Sequence, residues 1–476
     1  MAFHFQEATS DRNGAQEMLP GGAEFHQRAA SVSRLMLTYF LFWPLLCLIA
    51  RQAPYFAGPA RDAASFQQGR SAGEGSDYHA QLYLIMAIEA ICAASCARAI
   101  VRTLKRNPLI PAALGLALVS TLWSGSKMNS LHLWVELSLS TLFACYLAVR
   151  MPPERLMNQL MFVGSIAALL SIVFAVALPS YGVFAGYGGS AWQGICDHKN
   201  TLGLSMAYLL TPAFFVDCRR WQRLTYISLI VFLIGMSQSR GAWLYTAGLV
   251  LFVASLHLVR RLKSHESVLL RIVLCMIVLV IAAAVTTSFG SMASMLGKDA
   301  SMTGRTDIYR EVWASILRSP IVGYGYGGFW GVNPEATRIG LSIGWTSIGY
   351  SENGILELAL QLGIAGVGLV VWLIARAVVQ GVSLLRSPHY RPRTGWFLAI
   401  LSVAALSNID AGWLLSTGTL DWAMILIACI GLDAEWRRAR DARLADASLR
   451  EISQNAPSLS GEQVAALALA GASLQL

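Results

Sequence analysis

Long apolar runs recur along the chain and are separated by short polar segments. They lie near residues 34–50, 80–101, 109–124, 131–149, 160–178, 201–217, 224–238, 241–259, 268–288, 353–379, 395–410 and 419–432. Because the hydrocarbon core of a membrane holds no water, backbone groups there must bond within their own segment, so we expect α-helices. Since about 20 apolar residues span a bilayer, the pattern predicts an all-α polytopic integral membrane protein with about 12 transmembrane helices.

Basic residues are distributed unevenly between the short loops. Loops on one side hold fifteen Lys and Arg residues, whereas the short loops on the other side hold only Lys127, Lys199 and Arg240. Short cytoplasmic loops are enriched in Lys and Arg. We therefore expect both termini to be cytoplasmic and the opposite face to be external.

This orientation divides the chain into five parts. We expect a cytoplasmic tail over 1–33, nine spans within 34–289, one long external loop over 290–352, three further spans within 353–432 and a cytoplasmic tail over 433–476. The external loop is the one large polar segment between spans, so it is the natural place for chemistry.

The composition agrees with a membrane protein. The 476 residues are 55% hydrophobic and 13% charged, with a mean hydropathy of +0.53, whereas soluble domains have about 25% charged residues. This excludes a disordered chain and argues against a soluble enzyme. The net charge of +9 follows from the cytoplasmic loops and does not indicate nucleic acid. The eight cysteines form no CxxC pair, so neither a disulfide framework nor a zinc site is indicated.

Several positive residues lie on the external side, where this orientation predicts few of them. They occur with polar neighbours in four places, namely His198-Lys199-Asn200, Arg240, Arg305 and Arg310. Guanidinium groups match phosphate oxygens, and a helix starting near 201 would add free backbone N–H groups. A single arginine could merely reach the lipid headgroups. Together, the four clusters favour a site for a lipid-linked pyrophosphate.

The external loop contains two recognisable segments. Residues 307–317 have the apolar spacing of an amphipathic helix, with Ile308, Val312, Ile316, Trp313 and Leu317 forming the stripe. A glycine-rich segment follows at 320–331, but it lacks the Gly-Lys-Ser/Thr of a nucleotide-binding loop.

The glycine-rich segment also carries aromatic residues. Tyr324, Tyr326 and Trp330 could stack on sugar rings or form part of an interfacial aromatic belt. We treat the three as candidate substrate-binding residues.

Glu352 and Asn353 follow where the loop re-enters the membrane. A carboxylate at this position, facing several arginines, could act as a general base that takes a proton from a sugar hydroxyl while the cations hold the departing phosphate. Alternatively, Glu352 could cap a helix or pair with an arginine.

Acidic residues inside the apolar runs support a rival hypothesis. Glu89, Glu136, Asp410 and Asp421 lie within or beside predicted spans, and intramembrane acids often mark proton or substrate pathways. A transporter or flippase would use such residues. We find no internal repeat of the kind that many transporters have.

Five segments in series resemble the O-antigen ligase/polymerase superfamily, particularly its exopolysaccharide-polymerase (Wzy-type) branch. They are residues 192–203, 237–242, 296–306, 320–330 and 352–366. Each is weak alone, but their order and spacing are similar to the family. Regions before 190 and after 370 resemble it only in hydropathy.

The resemblance implies a GT-C-like membrane glycosyltransferase in the bacterial inner membrane, with its active site on the periplasmic side. It implies an inverting, metal-independent transfer from undecaprenyl-pyrophosphate-linked glycan, without a cofactor, and possible cooperation with a chain-length regulator. Arg240 and Arg305 match family arginines thought to grip the pyrophosphate. Many relatives, above all ligases, have His where this chain has Glu352, which favours a polymerase over a ligase and leaves open an inactive relative.

Overall fold

The computed structural model describes residues 45–46, 76–186, 189–261, 305–330, 333–342, 349–385, 387–388, 390–410, 412 and 414–455. The predicted span at 268–288 lies outside these residues, as does the span at 34–50 apart from 45–46. Outside them too are the whole predicted N-terminal tail, residues 456–476 of the C-terminal tail and residues 290–304 of the external loop. The side chains of Arg305 and Asp410 also lie outside the described part.

The described chain is built almost entirely of α-helices. The helices are α1 (Ser76–Ser95), α2 (Ala97–Arg106), α3 (Leu109–Ser120), α4 (Lys127–Arg150), α5 (Pro153–Ala177), α6 (Pro179–Gly182), α7 (Lys199–Leu210), α8 (Arg220–Met236), α9 (Arg240–Arg261), α10 (Arg305–Arg318), α11 (Pro334–Ser342), α12 (Gly354–Leu384), α13 (Pro392–Asp410) and α14 (Leu420–Asn455). The predicted α-helical membrane protein is confirmed.

Four described helices are long and apolar enough to cross a membrane: α4, α5, α12 and the Arg240–Leu258 part of α9. A fifth span would be formed by α1 and α2, which are bent by 83° around Cys96. The described residues therefore support four or five spans, and the predicted number of twelve is not confirmed.

Two predicted spans form shorter helices. The run at 109–124 gives a helix of 12 residues, α3, and the run at 201–217 gives α7, also 12 residues, followed by a 3₁₀ turn over Thr211–Phe214. Pro212 explains the second break, because proline disrupts the hydrogen bonding of a continuing α-helix.

One β-hairpin was not predicted. Strands β1 (Val183–Gly186) and β2 (Gly189–Trp192) pair antiparallel, with Val183 opposite Trp192. The hairpin immediately precedes α7. Its Phe184 ring meets the His198 ring edge-on, with the centroids 4.8 Å apart, so it positions the first residues of that helix.

Helices α9 and α13 are antiparallel neighbours. Gly248 lies against Leu406, whereas Leu256 lies against Gly395. The start of α9 is therefore at the same end of the bundle as the C-terminus of α13. We call this the Arg240 end, after the first residue of α9.

We call the opposite end of the bundle the Arg223 end, after a residue in the first turn of α8. There Gly395, close to the start of α13, lies against Phe215 and Leu256. The Arg223 end thus gathers the residues after the 3₁₀ turn, the start of α8 and the C-terminal part of α9.

Two buried tryptophans, one near each end, tie the helices together. The indole N–H of Trp396 in α13 donates to the hydroxyl of Thr211 at 3.1 Å, and that of Trp422 in α14 donates to the hydroxyl of Thr141 in α4 at 3.0 Å. Both indoles are almost completely buried. Each bond satisfies a buried donor that would otherwise destabilise the bundle.

The contact between α13 and α14 predicts which glycines tolerate a side chain. A Cβ at Gly431 would lie 2.3 Å from the Phe397 ring, whereas a Cβ at Gly368 in α12 would meet no atom within 4 Å. We expect Gly431→Ala to destabilise the protein by about 1–3 kcal/mol through overpacking. The matched variant Gly368→Ala should be neutral or stabilising by up to about 1 kcal/mol. Thermal unfolding in detergent measures both, and equal effects would contradict the packing.

Candidate functional site

The predicted phosphate-binding residues at 198–200 form the first turn of α7. The backbone N–H of Asn200 donates to His198 Nδ1 at 3.1 Å, so His198 is the N-cap of the helix. This bond and the contact with Phe184 hold the imidazole in place. The free N–H groups and positive dipole of the helix start lie beside Lys199.

Lys199 and Arg240 are brought close together. Burial first, and the positive charge of Arg240 second, lower the pKa of Lys199. The helix packing also brings the two residues together, because Gly203 in α7 lies against Ala242 and the hydroxyl of Ser237. Two cations held near each other repel, and an anion such as a pyrophosphate would relieve that repulsion.

The predicted amphipathic helix is confirmed as α10. Ile308, Val312 and Ile316 are buried in a cluster with Phe329 and Leu360. Trp313 and Leu317, predicted to share that stripe, are instead exposed and could face lipid. The helix thus packs on α12 through one face and presents a second apolar face outward.

Arg310 lies on the exposed side of α10. Its side chain is 70% exposed, and its Nε is 3.7 Å from Glu311, which also pairs with Arg338 at 3.6 Å. Such an exposed pair contributes little to stability.

Glu352 and Asn353 connect α10, α12 and α13. The Tyr309 hydroxyl in α10 donates to the backbone oxygen of Glu352 at 2.9 Å. The Asn353 amide oxygen caps α12 by accepting from the N–H groups of Ile355 and Leu356, and its Nδ2 donates to the carbonyl of Ile409 at 3.0 Å. Because Ile409 is near the end of α13, Glu352 lies at the Arg240 end.

The backbone of Glu352 is in an unfavourable conformation. Its φ is 56°, and the other positive-φ residues besides glycine in the described chain are Gln238, two positions before Arg240, and Leu415. Glycine or asparagine would occupy this region more readily than glutamate. Residues kept in strained conformations often serve a function, so the carboxylate at 352 is a candidate functional group.

The glycine-rich segment docks on a break in α12. Gly363 has a φ of 63°, which interrupts the helix. The N–H of Ile364 donates to the Pro320 carbonyl at 2.8 Å, and the N–H groups of Tyr324 and Gly325 donate to the carbonyls of residues 360 and 361 at 2.9 Å. The segment therefore satisfies backbone groups that the break leaves open.

Glycine is required for this docking. Gly323 has a φ of 64°, and a Cβ there would lie 2.5 Å from the backbone of Gln361. Glycine here thus allows close contact between two backbones.

The polar groups of the three candidate aromatic residues bond within the protein. The Tyr326 hydroxyl donates to the Leu415 carbonyl at 2.7 Å, and the Tyr324 hydroxyl donates to the Ser315 carbonyl at 3.0 Å. Tyr326 is only 4% exposed, so its ring faces the interior rather than a sugar. Tyr324 and Trp330 are partly exposed, and both rings contact Phe329 with the centroids 4.9 Å apart.

Sequence reasoning missed the role of Glu357. This buried carboxylate accepts from the backbone N–H of Ser351 at 2.8 Å, from Trp330 Nε1 at 2.9 Å and from Gln361 Nε2 at 2.6 Å. Through these bonds, Glu357 joins the glycine-rich segment to Ser351, the residue before Glu352. The available signal was the acid in an apolar run with Gln four positions later.

Of the acids in the rival hypothesis, Glu89 and Asp421 are buried, Glu136 is half-buried, and the side chain of Asp410 lies outside the described residues. Asp421 accepts from the Tyr208 hydroxyl, from Ser407 at 3.1 Å and from Asn408 at 3.4 Å. Glu89 is 2% exposed, and Gly418 lies beside Glu136. The bonds of Asp421 join α7, α13 and α14, which gives this acid a structural role that needs no transport pathway.

The proximity of Lys199 and Arg240 can be tested by titration. We expect Arg240→Gln to raise the pKa of Lys199 towards its usual value, because one of the two causes of its depression is removed while burial stays. The pH dependence of amine labelling at Lys199 measures this. Arg220→Gln, which changes an exposed arginine at the Arg223 end, is the matched control, and equal shifts in both variants would contradict the geometry.

The link between Glu357 and Trp330 can be measured by a double-mutant cycle. We expect Glu357→Gln and Trp330→Phe each to lower the free energy of unfolding, because each leaves a partner with fewer hydrogen bonds. Their coupling energy should be about 0.5–3 kcal/mol. Additive effects would mean that the indole and the carboxylate do not interact.

One family model matches the chain. Residues 225–373 match the model Wzy_C, described as O-antigen ligase. The match covers 149 of the 476 residues and includes Arg240, α10, the glycine-rich segment and Glu352. No curated protein matches the chain. The matched segment runs from α8 to α12, and this part of the membrane protein is similar to the O-antigen ligase family.

Proposed function

We propose that the protein is an inverting glycosyltransferase that polymerises undecaprenyl-pyrophosphate-linked repeat units into exopolysaccharide or O-antigen. It would lie in the bacterial inner membrane with the Arg240 end facing the periplasm. Donor and acceptor are both lipid-linked glycans, and a chain-length regulator is a possible partner. The reaction needs no metal, because fixed cations would neutralise the leaving group.

In the proposed reaction, a hydroxyl of the acceptor sugar attacks the anomeric carbon of the donor. Glu352 takes the hydroxyl proton as the new carbon–oxygen bond forms. The bond between the anomeric carbon and the pyrophosphate oxygen breaks, and undecaprenyl pyrophosphate leaves with the bonding electrons. A single displacement from the opposite face inverts the anomeric centre.

The cations at the Arg240 end would stabilise the leaving group. Lys199 and Arg240 are held near each other, and the α7 helix start beside them adds backbone N–H groups. Arg310 is exposed on α10, one residue after Tyr309, whose hydroxyl bonds to the Glu352 backbone. We assign Arg305 the same role because it is the first residue of α10.

One observation supports the proposal above others. The family match contains both Arg240 and Glu352, and both residues lie at the same end of the bundle. A base and a phosphate-binding cation must share one end for the proposed transfer. The strained backbone of Glu352 adds support, because a purely structural role would be served more cheaply by glycine or asparagine.

The second candidate function is that of an O-antigen ligase, which transfers the finished glycan to another acceptor. The description of the matching family favours it. The carboxylate of Glu352, at the position where many relatives have histidine, favours the polymerase. Both activities use the same donor and leaving group, so the acceptor distinguishes them.

The base assignment is tested with variants of Glu352. We expect Glu352→Gln to lower polymer formation at least about 100-fold, because removing a general base typically costs that much. Glu352→Asp should keep partial activity, since it retains a carboxylate. Arg240→Gln should also abolish polymer, whereas the control Arg220→Gln at the opposite end should not. Wild-type polymer from a normally inserted Glu352→Gln protein would disprove the assignment.

Analysis of the accumulating glycans separates the two functions. Loss of a polymerase should leave single repeat units on undecaprenyl pyrophosphate, whereas loss of a ligase should leave long chains on that carrier. Single units trapped on the cytoplasmic face would instead indicate a flippase.

A further inference from the structure

A second concave site lies at the Arg223 end, opposite the candidate reaction site. It is a cavity of about 550 Å³ bounded by the segment after the 3₁₀ turn, the start of α8, the C-terminal part of α9 and the start of α13. Its polar lining includes Asp217, Arg223 and His257, and its apolar lining includes Phe214, Phe215 and Leu256. The proposed transfer uses none of these residues.

One hydrogen bond holds Arg223 in place and leaves another N–H donor of its guanidinium without an acceptor among the described residues. Its Nη2 donates to the Val216 carbonyl at 2.7 Å, which fixes the guanidinium in the cavity wall. Within the described part of the chain, its Nε is buried and has no acceptor. A buried donor without a partner indicates that an acceptor is supplied from elsewhere. A phosphate suits the permanently charged, planar guanidinium.

The cavity lies beside one end of a candidate membrane span, where lipid headgroups are expected. His257 is one residue before the end of the candidate span Arg240–Leu258, and its Nδ1 contacts the Val253 carbonyl at 2.8 Å. The apolar walls suit the glycerol and upper acyl chain of a lipid, whereas the polar groups suit its headgroup.

The charges of the lining identify the headgroup. Asp217 provides an exposed negative charge in the same cavity as Arg223. A carboxylate would repel a purely anionic headgroup, but it would accept hydrogen bonds from an ammonium group. We propose that the cavity binds the phosphoethanolamine headgroup of a membrane lipid, with its phosphate on Arg223 and its ammonium group on Asp217.

The proposal makes a distinction between three lipids. Phosphatidylcholine carries the same charges as phosphatidylethanolamine, but its quaternary nitrogen has no N–H to donate. Phosphatidylglycerol has the phosphate without the cation. The exposed Arg219 and Arg220 nearby would favour phosphatidylglycerol if general electrostatics governed binding.

Native mass spectrometry of the delipidated full-length protein tests this. We expect phosphatidylethanolamine to bind about fivefold or more tightly than phosphatidylcholine or phosphatidylglycerol, as a charge-assisted hydrogen bond would give. Asp217→Asn should remove the preference over phosphatidylcholine. Arg223→Gln should weaken all three lipids. Arg220→Gln, which changes an exposed neighbour, should leave the preference unchanged.

Three outcomes would overturn the proposal: equal binding of the three lipids, tightest binding of phosphatidylglycerol, or an unchanged preference in Asp217→Asn. If Arg223→Gln does not fold, the Asp217→Asn comparison decides alone, because that side chain is exposed. Since the site is remote from Glu352, these results are independent of the glycosyltransferase tests.

Discussion

The break in α12 at Gly363 is the constraint on which the candidate site depends. A helix interrupted among apolar neighbours must find partners for its open backbone groups, and the glycine-rich segment supplies them through Pro320 and Gly325. That docking places Trp330 beside Glu357, whose carboxylate also accepts the N–H of Ser351. The same set of bonds therefore fixes the backbone that leads into the strained Glu352.

Electrostatics then gives this end of the bundle its chemical character. Lys199 and Arg240 are close enough for one charge to affect the other, and Glu352 begins the segment that caps α12 and bonds to the end of α13. Positive groups that bind a pyrophosphate and an acid that accepts a proton perform complementary parts of one displacement. The proposed polymerase follows from this combination together with the family match.

The sequence predicted the elements better than their contacts. Helix α10 was predictable because its apolar spacing has the helical period, although the exposure of Trp313 depends on packing that no period reveals. The aromatic residues of the glycine-rich segment suggest sugar stacking or an interfacial belt, whereas the segment docks on a helix break that becomes visible only when both backbones are placed. Of the partners of Glu357, only Gln361, four positions later, is suggested by the sequence, whereas Trp330 and Ser351 are revealed only by the fold. Proximity of Lys199 to Arg240, 41 positions apart in the chain, likewise depends on the packing of α7 against the turn before α9.

The most direct test is a reaction with purified components. The protein is placed in vesicles whose only glycan is a lipid-linked repeat unit, and both chain length and released undecaprenyl pyrophosphate are measured. The account predicts longer lipid-linked chains, one released carrier for each new bond, and inverted stereochemistry at each linkage. Unchanged chain length in the presence of folded protein, or growth without release of the carrier pyrophosphate, would contradict it.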